Sequence, residues 1–319
     1  MSSRSRLSLL LLASLTAACG GSPEEHTSDS ELATREDAVT IPARGTATTL
    51  DFGNWNVEWF GSTSNGPTNE SLQLTNARDV IQGADLDIWG LEEVVSTTSF
   101  SNLKSQLTGY AGLLASDSTV TNGSSYYSSS EQKVGILYKT SVASVLSARV
   151  ILTSYDTDFA GRPPLEVKMR VNLNGRTGDI VVIVLHAKAY DDTTSWQRRY
   201  NASQALKSYL DSTYPTTKVI VFGDWNDDVD TSITSGKASP YQNFVSDSAD
   251  YTFPTKALSD AKIATTASYP DAIDHQLVTN ELKATYVSGS VQAYRVDSYI
   301  SNYSNTTSDH FPVLSRYTW

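Results

Sequence analysis

Two short strings in the last third of the chain carry the residues best suited to chemistry: Gly223-Asp224-Trp225-Asn226 and Ser308-Asp309-His310. Each sets an acid beside a neutral hydrogen-bonding partner. The first follows Val219-Ile220-Val221-Phe222, an apolar run that reads as a buried strand. Asp and Asn at the end of such a strand suit a metal or phosphate site better than a requirement of folding. Asp309-His310 adds a hard oxygen ligand beside the one side chain that titrates near neutrality. The chemistry implied is metal-assisted attack of water on a phosphate ester.

The same pattern, a β-rich run ending in residues that carry chemistry, recurs at Asn56, Glu93, His186 and Asp274. The chain has four histidines. One, His26, lies in a polar N-terminal stretch; the others fall inside these strings, a coincidence that packing alone would not produce. His310 is the candidate general base, and His275 reads as structural or supporting. Arg162, in Gly161-Arg162-Pro163-Pro164, offers a planar fork to a phosphate, or is simply a loop arginine at a Pro-rich turn.

These positions need elements to hold them. Alternation predicts strands at residues 48–57, 86–91, 134–138, 145–152, 165–171, 180–185, 219–222, 276–279 and 311–314. Helical spacing is expected at 74–81 and 100–107, and most clearly at 195–210, with Trp196, Tyr200, Ala205 and Tyr209 near one stripe. Many strands with few helices predict two packed sheets covered by helices.

The N-terminus reads as an address rather than as fold. Arg4 and Arg6 precede an apolar stretch from Leu7 to Leu15, too short for an ordinary membrane-spanning helix, and Thr16-Ala17-Ala18-Cys19 follows. Cys19 is the only cysteine, so no intramolecular disulfide can form. Its placement resembles a bacterial lipoprotein lipobox, with Thr16 where Leu is usual; cleavage at Ala18 and free secretion is the alternative. Residues 1–19 are therefore expected to be a lipoprotein-type signal peptide with lipobox Cys19. Residues 20–45, poor in large apolar side chains, are expected to be a disordered polar tether. A single domain from 46 to 319 follows. The expected product is an exported outer-membrane or cell-surface lipoprotein, or a secreted protein, that touches membrane only through its lipid. Without Arg4 and Arg6, 22 basic residues face 35 acidic ones, a balance that argues against tight nonspecific binding to a polyanion.

Taken in order, Asn54-Trp55-Asn56-Val57, Gly90-Leu91-Glu92-Glu93-Val94, Leu185-His186-Ala187-Lys188, Gly223-Asp224-Trp225-Asn226-Asp227, Ile273-Asp274-His275 and Ser308-Asp309-His310 resemble the successive motifs of the endonuclease/exonuclease/phosphatase (DNase I-like) superfamily. The segments 133–138 and Arg198-Arg199 are similar to its bacterial secreted or membrane nuclease branch. The resemblance implies an α/β fold, a four-layer sandwich of two packed, mainly antiparallel β-sheets flanked by helices. It also implies phosphodiester hydrolysis with Mg²⁺, Mn²⁺ or Ca²⁺.

Carried onto this chain, the resemblance makes Glu93 the main metal ligand, with Asn56 beside it and Asp309 on the metal side. Asp274 becomes the partner of His310, His186 a contact to the scissile phosphate or leaving group, and Asp224 with Asn226 the groups that orient water or leaving group. Arg162 would face the phosphate. Glu92 stands where relatives usually have Gln. An acid partner for His186 is expected at Glu131, unless Gln132 takes that place. A monomeric nuclease acting on DNA, RNA or both is the leading expectation. A lipid phosphodiesterase or phosphatase resembling sphingomyelinases is the alternative, and a catalytically inactive binding module is a third.

Overall fold

The computed structural model describes residues 39–319. The signal segment with Cys19, and most of the tether, lie outside the described residues. Among the described residues, twelve strands form two six-stranded sheets. The first contains β1 (Thr49–Phe60), β2 (Ile88–Val94), β3 (Tyr110–Leu114), β4 (Lys133–Lys139), β11 (Gln292–Ala293) and β12 (Val313–Thr318), in the order β11-β12-β1-β2-β4-β3. The second contains β5 (Ala143–Val150), β6 (Leu165–Leu173), β7 (Arg176–His186), β8 (Val219–Asp224), β9 (Tyr251–Thr252) and β10 (Asp274–Thr279), in the order β5-β6-β7-β8-β10-β9. Each sheet is antiparallel except for one central parallel pair, β1 with β2 and β7 with β8.

Parallel neighbours need a crossover, and a helix supplies each one. Glu70–Ala84 connects β1 to β2, and Thr193–Thr213 connects β7 to β8. Both faces of the central strands are buried, which explains their near-continuous apolar runs. Phe52, Ile88, Val182, Val184, Ile220 and Phe222 point between the sheets. Trp55, Trp89 and Leu91 meet the helices over the first sheet, and Ile183, Leu185 and Val221 meet the long helix over the second. The four-layer architecture expected from the sequence is present. The sheets approach closely at Gly90, where an added Cβ would stand 2.0 Å from the Phe222 ring.

Three expectations are corrected. Residues 39–45, assigned to the tether, pack on the domain: Ile41 is buried, and the Arg44 and Gly45 amides donate to the Ala84 carbonyl. The long helix buries Ser195, Arg199, Ala202, Ala205, Leu206 and Leu210, with Tyr209 packed at the edge of that core, so Ala205 and Tyr209 of the expected stripe face inward. Trp196 and Tyr200 instead stack on one another at 5.3 Å, with Tyr200 exposed. The strand Tyr110–Leu114 was not anticipated; its central Gly112 and short length weaken the alternation that would mark it. No helix among the described residues is long and apolar enough to cross a membrane.

Candidate active site

The register explains how distant motifs converge. In the second sheet His186 pairs with Asp224 across β7 and β8, and Asp274 pairs with Asp224 across β10 and β8. Three of the candidate residues therefore share one rung at the ends of three neighbouring strands. In the first sheet Asn56 pairs with Glu92 at the ends of β1 and β2, and His310 lies just before β12. Beneath the site Asn54 Nδ2 donates to the Gly223 carbonyl at 3.3 Å, and Gln276 Nε2 donates to Asn54 Oδ1 at 2.9 Å. This buried polar clamp holds the two rims together. Gly223 has φ of 143°, and a Cβ there would meet the Leu185 carbonyl at 1.9 Å, so the residue before Asp224 must be glycine.

Asn56 sits at the centre. Its Nδ2 donates to Glu93 Oε1 and to Asp224 Oδ2, both at 3.1 Å, and its Oδ1 accepts the Glu58 amide at 3.0 Å. Asn56 thus braces the carboxylates, rather than turning its oxygen to the cleft as a ligand would. Glu93 accepts the Trp59 amide at 3.0 Å through its other oxygen. The pairing of β1 with β2 is irregular between Asn56 and Phe60, and Glu58 and Trp59 have φ of 43° and 49°. Such a bulge re-aims side chains. It brings Glu58 near Glu93 and Asp309, and burial, then Asp309 and Glu93, push the Glu58 carboxyl up to about 7.

His310 is buried. Its Nδ1 donates to Asp274, at 2.9 Å from Oδ2 and 3.1 Å from Oδ1. Thr265 Oγ1 donates to Asp274 Oδ2 at 2.6 Å and fixes the carboxylate. His310 Nε2 stands 3.9 Å from both Asp224 Oδ2 and Asp309 Oδ1. Burial opposes charge on this ring, but Asp274 and Asp224 outweigh it and hold its pKa well above the ordinary histidine value.

Asp224, fully enclosed, accepts the Asn226 amide at 2.9 Å, and burial pushes its carboxyl up to about 7 despite His310. Asn226, at φ of 53°, donates through Nδ2 to the Ala187 carbonyl at 3.1 Å. His186 Nε2 is 3.5 Å from Asp224 Oδ2 and 3.7 Å from Glu93 Oε1. Burial, then Arg162 and His310, hold the His186 ring well below its ordinary pKa, so it is neutral.

The partner for His186 expected from residues 131 and 132 is not there. Glu131 accepts the Ser128 amide and Gln132 accepts from Arg162 Nη1, while His186 Nδ1 is buried with no partner among the described residues. Arg162 also donates from Nη2 to the Ala187 carbonyl at 3.2 Å, and its buried Nε has no partner. Glu92 is fully buried with both oxygens unpartnered, and burial, then Asp274 and Asp224, raise its carboxyl well above the usual range. A neutral Glu resembles in shape the Gln usual at this position. His275 is buried, bonds Thr255 Oγ1 at 3.0 Å and does not line the cleft.

Glu93, Asp224, His186, His310, Asp309 and Arg162 all line one open cleft of about 660 Å³. Lys188 and Arg198 line it too, which places three cations on the side of β7 and the long helix. Glu93 and Asp309 offer carboxylate oxygens to the cleft, which suits a hard divalent cation, and nearby Glu58 has a buried Oε2 with no partner. Asp224, Asp274 and His310 also offer ligand atoms within 4.8 Å of one another. That trio is better suited to moving a proton, since His310 Nδ1 is already committed to Asp274.

Glu58 is the residue that sequence reasoning missed. It lies two positions beyond Asn56, and only the bulge turns it toward the other acids.

Residues 53–310 match the family model described as "Endonuclease/Exonuclease/phosphatase family". No curated protein sequence matches the chain. Among solved structures, TDP2 of D. rerio complexed with single strand DNA product has a TM-score of 0.56 and 14% identity, covering 85% of this chain and 99% of that one. An AP endonuclease from Archaeoglobus fulgidus has a TM-score of 0.56 and 15% identity, covering 85% and 100%. A mannosyl-6-phosphatase from Bacteroides thetaiotaomicron has a TM-score of 0.52 and 14% identity, covering 83% and 98%. At such identity the likeness is one of fold.

Proposed function

Because the chain belongs to the endonuclease/exonuclease/phosphatase family, a family of hydrolases generally dependent on divalent metal, we propose that it is an exported nuclease hydrolysing phosphodiester bonds of DNA or RNA with Mg²⁺. The observation that carries this reading is the His310–Asp274 pair, 2.9 Å apart, facing Asp224 in a cleft whose other side bears Arg162, Lys188 and Arg198. A proton acceptor, acidic ligands and phosphate-binding cations share one cavity. Binding of single strand DNA product by the structurally similar TDP2 supports a nucleic acid substrate.

In this reading Glu93 and Asp309 would hold the cation, with Glu58 close enough to join them, and Asn56 keeps Glu93 in place. An ion held there would supply Lewis-acid polarisation of a phosphoryl oxygen. Mn²⁺ or Ca²⁺ would suit the same oxygen donors. His310 takes the proton of the attacking water at Nε2, while Nδ1–H remains donated to Asp274, which fixes the tautomer and stabilises the imidazolium. The carboxylates around His310 raise its pKa, so the form competent as a base grows as pH rises. Asp224 and Asn226 orient water or leaving group, and neutral His186 offers Nε2–H to a phosphoryl or leaving oxygen. Arg162, with its free Nε, Lys188 and Arg198 take the substrate phosphates.

Export and a lipid at Cys19 complete the proposal. A single diacylated terminus would keep a monomeric enzyme at a membrane surface without spanning it. The deciding experiment incubates supercoiled plasmid and single-stranded RNA with the protein in Mg²⁺ or EDTA, beside His310→Ala. Cleavage lost with EDTA and in the variant supports the reading. Turnover of a choline phosphodiester with both nucleic acids intact refutes it and moves the substrate to lipid.

A further inference from the structure

The loop after β7, residues 187–192, is anchored more firmly than an exposed turn requires. Arg199, fully buried on the long helix, pairs with Asp227 at 2.8 Å. Its Nη1 donates to the carbonyls of both Lys188 and Tyr190, each at 2.7 Å. The anchored backbone holds Tyr190 at φ of 80°, a left-handed conformation that a bulky residue rarely adopts. Strain of that kind, over-determined by a buried ion pair, marks a presented side chain.

What is presented is an aromatic face. Tyr190 is 71% exposed, the most exposed large hydrophobic side chain among the described residues. Lys188 Nζ stands 4.2 Å from its ring centroid, which covers one face and leaves the ring a rigid platform. A second ring, Tyr269 at 54% exposure, comes from the segment between β9 and β10, where its amide donates to Thr266 Oγ1 at 2.9 Å. Both tyrosines line the cleft that holds His310 and Asp224.

Aromatic faces set among Arg162, Lys188 and Arg198 match a chain in which anionic phosphates alternate with flat bases. A base inside a duplex is already stacked on both faces, so a protein ring can take only an unpaired one. We infer that Tyr190, with Tyr269, stacks an unpaired base beside the scissile phosphate and makes single-stranded nucleic acid the preferred substrate. The inference rests on the nuclease reading above and narrows it.

The test uses the described domain within the full chain, with one oligonucleotide supplied single-stranded, as a blunt duplex, and with abasic residues flanking the cleavage site. Base–aromatic stacking is worth about 1–3 kcal/mol. Tyr190→Ala should therefore lower kcat/KM on the single strand roughly 5- to 150-fold, mainly through KM, and Tyr190→Trp should retain it. The abasic strand should slow the wild type by a similar factor, and the two removals together should cost no more than either alone. Wild-type preference for single strand over duplex should shrink in Tyr190→Ala. If the wild type cuts nucleic acid and Tyr190→Ala stays within twofold on the single strand, the stacking inference is wrong and the nuclease reading stands. If the wild type cuts no nucleic acid in Mg²⁺, both fall.

Discussion

Replacing Asp274 by Asn removes one charge and leaves the shape of the site intact. The consequence is set by Thr265. Its Oγ1 accepts the amides of Ile273 and Asp274, each at 3.1 Å, so its own proton must go to Asp274 Oδ2. An Asn at 274 would therefore place its oxygen where Oδ2 stands and its NH₂ where Oδ1 stands, the latter 3.1 Å from His310 Nδ1. That nitrogen would face a donor and an acceptor at once, and its tautomer would no longer be fixed. The lost attraction between imidazolium and carboxylate at 2.9 Å is about 6 kcal/mol at an effective dielectric constant near 20, an upper bound. General-base catalysis contributes about two to four orders of magnitude in rate, or about 3–5 kcal/mol, which lies inside that bound. Asp274→Asn should accordingly lower kcat on an oligonucleotide in Mg²⁺ roughly 10²- to 10⁴-fold with little change in KM. If the two residues act as one unit, Asp274→Asn/His310→Ala should be no slower than His310→Ala alone. Losses that multiply in the double variant, or an Asp274→Asn enzyme within threefold of wild type, would refute the dyad.

Metal affinity should rise with pH. Glu58, pushed up to about 7, must lose its proton to bind a cation, so calorimetric Mg²⁺ affinity should increase from about pH 6 to 8 and then level off, and Glu58→Gln should flatten the profile. A flat wild-type profile would exclude Glu58 from the site. His275 should make the fold acid-sensitive. Burial lowers its pKa from 6.5 to about 3, so the unfolded chain binds a proton below about 6.5 that the folded one refuses. Its contribution is intact above that pH and is lost as pH falls toward 3, by about 2 kcal/mol at pH 5. Denaturant unfolding at pH 7 and pH 5 should show His275→Gln losing less than wild type. Gly90→Ala should force a methyl to within 2.0 Å of the buried Phe222 ring and destabilise the domain by about 2–3 kcal/mol, lowering Tm by roughly 4–10 °C in a calorimetric scan. An unchanged Tm would mean that the sheets can separate there.

The strands that carry the chemistry were legible because they are buried on both faces and end abruptly in polar residues. Val219 to Phe222 followed by Asp224 is the clearest case, and the His186–Asp224–Asp274 rung is the geometric result. Partners were less legible than positions. An acid was expected beside His186 because of the family pattern, yet Glu131 and Gln132 are bound to Ser128 and Arg162. The face of the long helix was misread because the rings of Trp196 and Tyr200 were credited with burial. The buried face instead carries Arg199 and Ser203, whose polar atoms are satisfied by Asp227 and Asn243. Glu58 escaped notice because two left-handed residues redirect the chain where a regular strand would have continued.

The electrostatics explain why such a site can sit in a strongly acidic protein. Glu58, Glu92, Glu93, Asp224, Asp274 and Asp309 crowd one end of the two sheets. Burial raises the Glu58, Glu92 and Asp224 carboxyls, which eases the repulsion of gathering so many acids in one place. A divalent ion bound there would compete with protons for these carboxylates, and its charge would favour the neutral form of His310. Arg162, Lys188 and Arg198 stand on the other side of the cleft, where a polyanion can be met although the whole surface repels it. Affinity then depends on a few placed contacts rather than on net charge, which is the condition under which an exposed ring such as Tyr190 can set substrate preference.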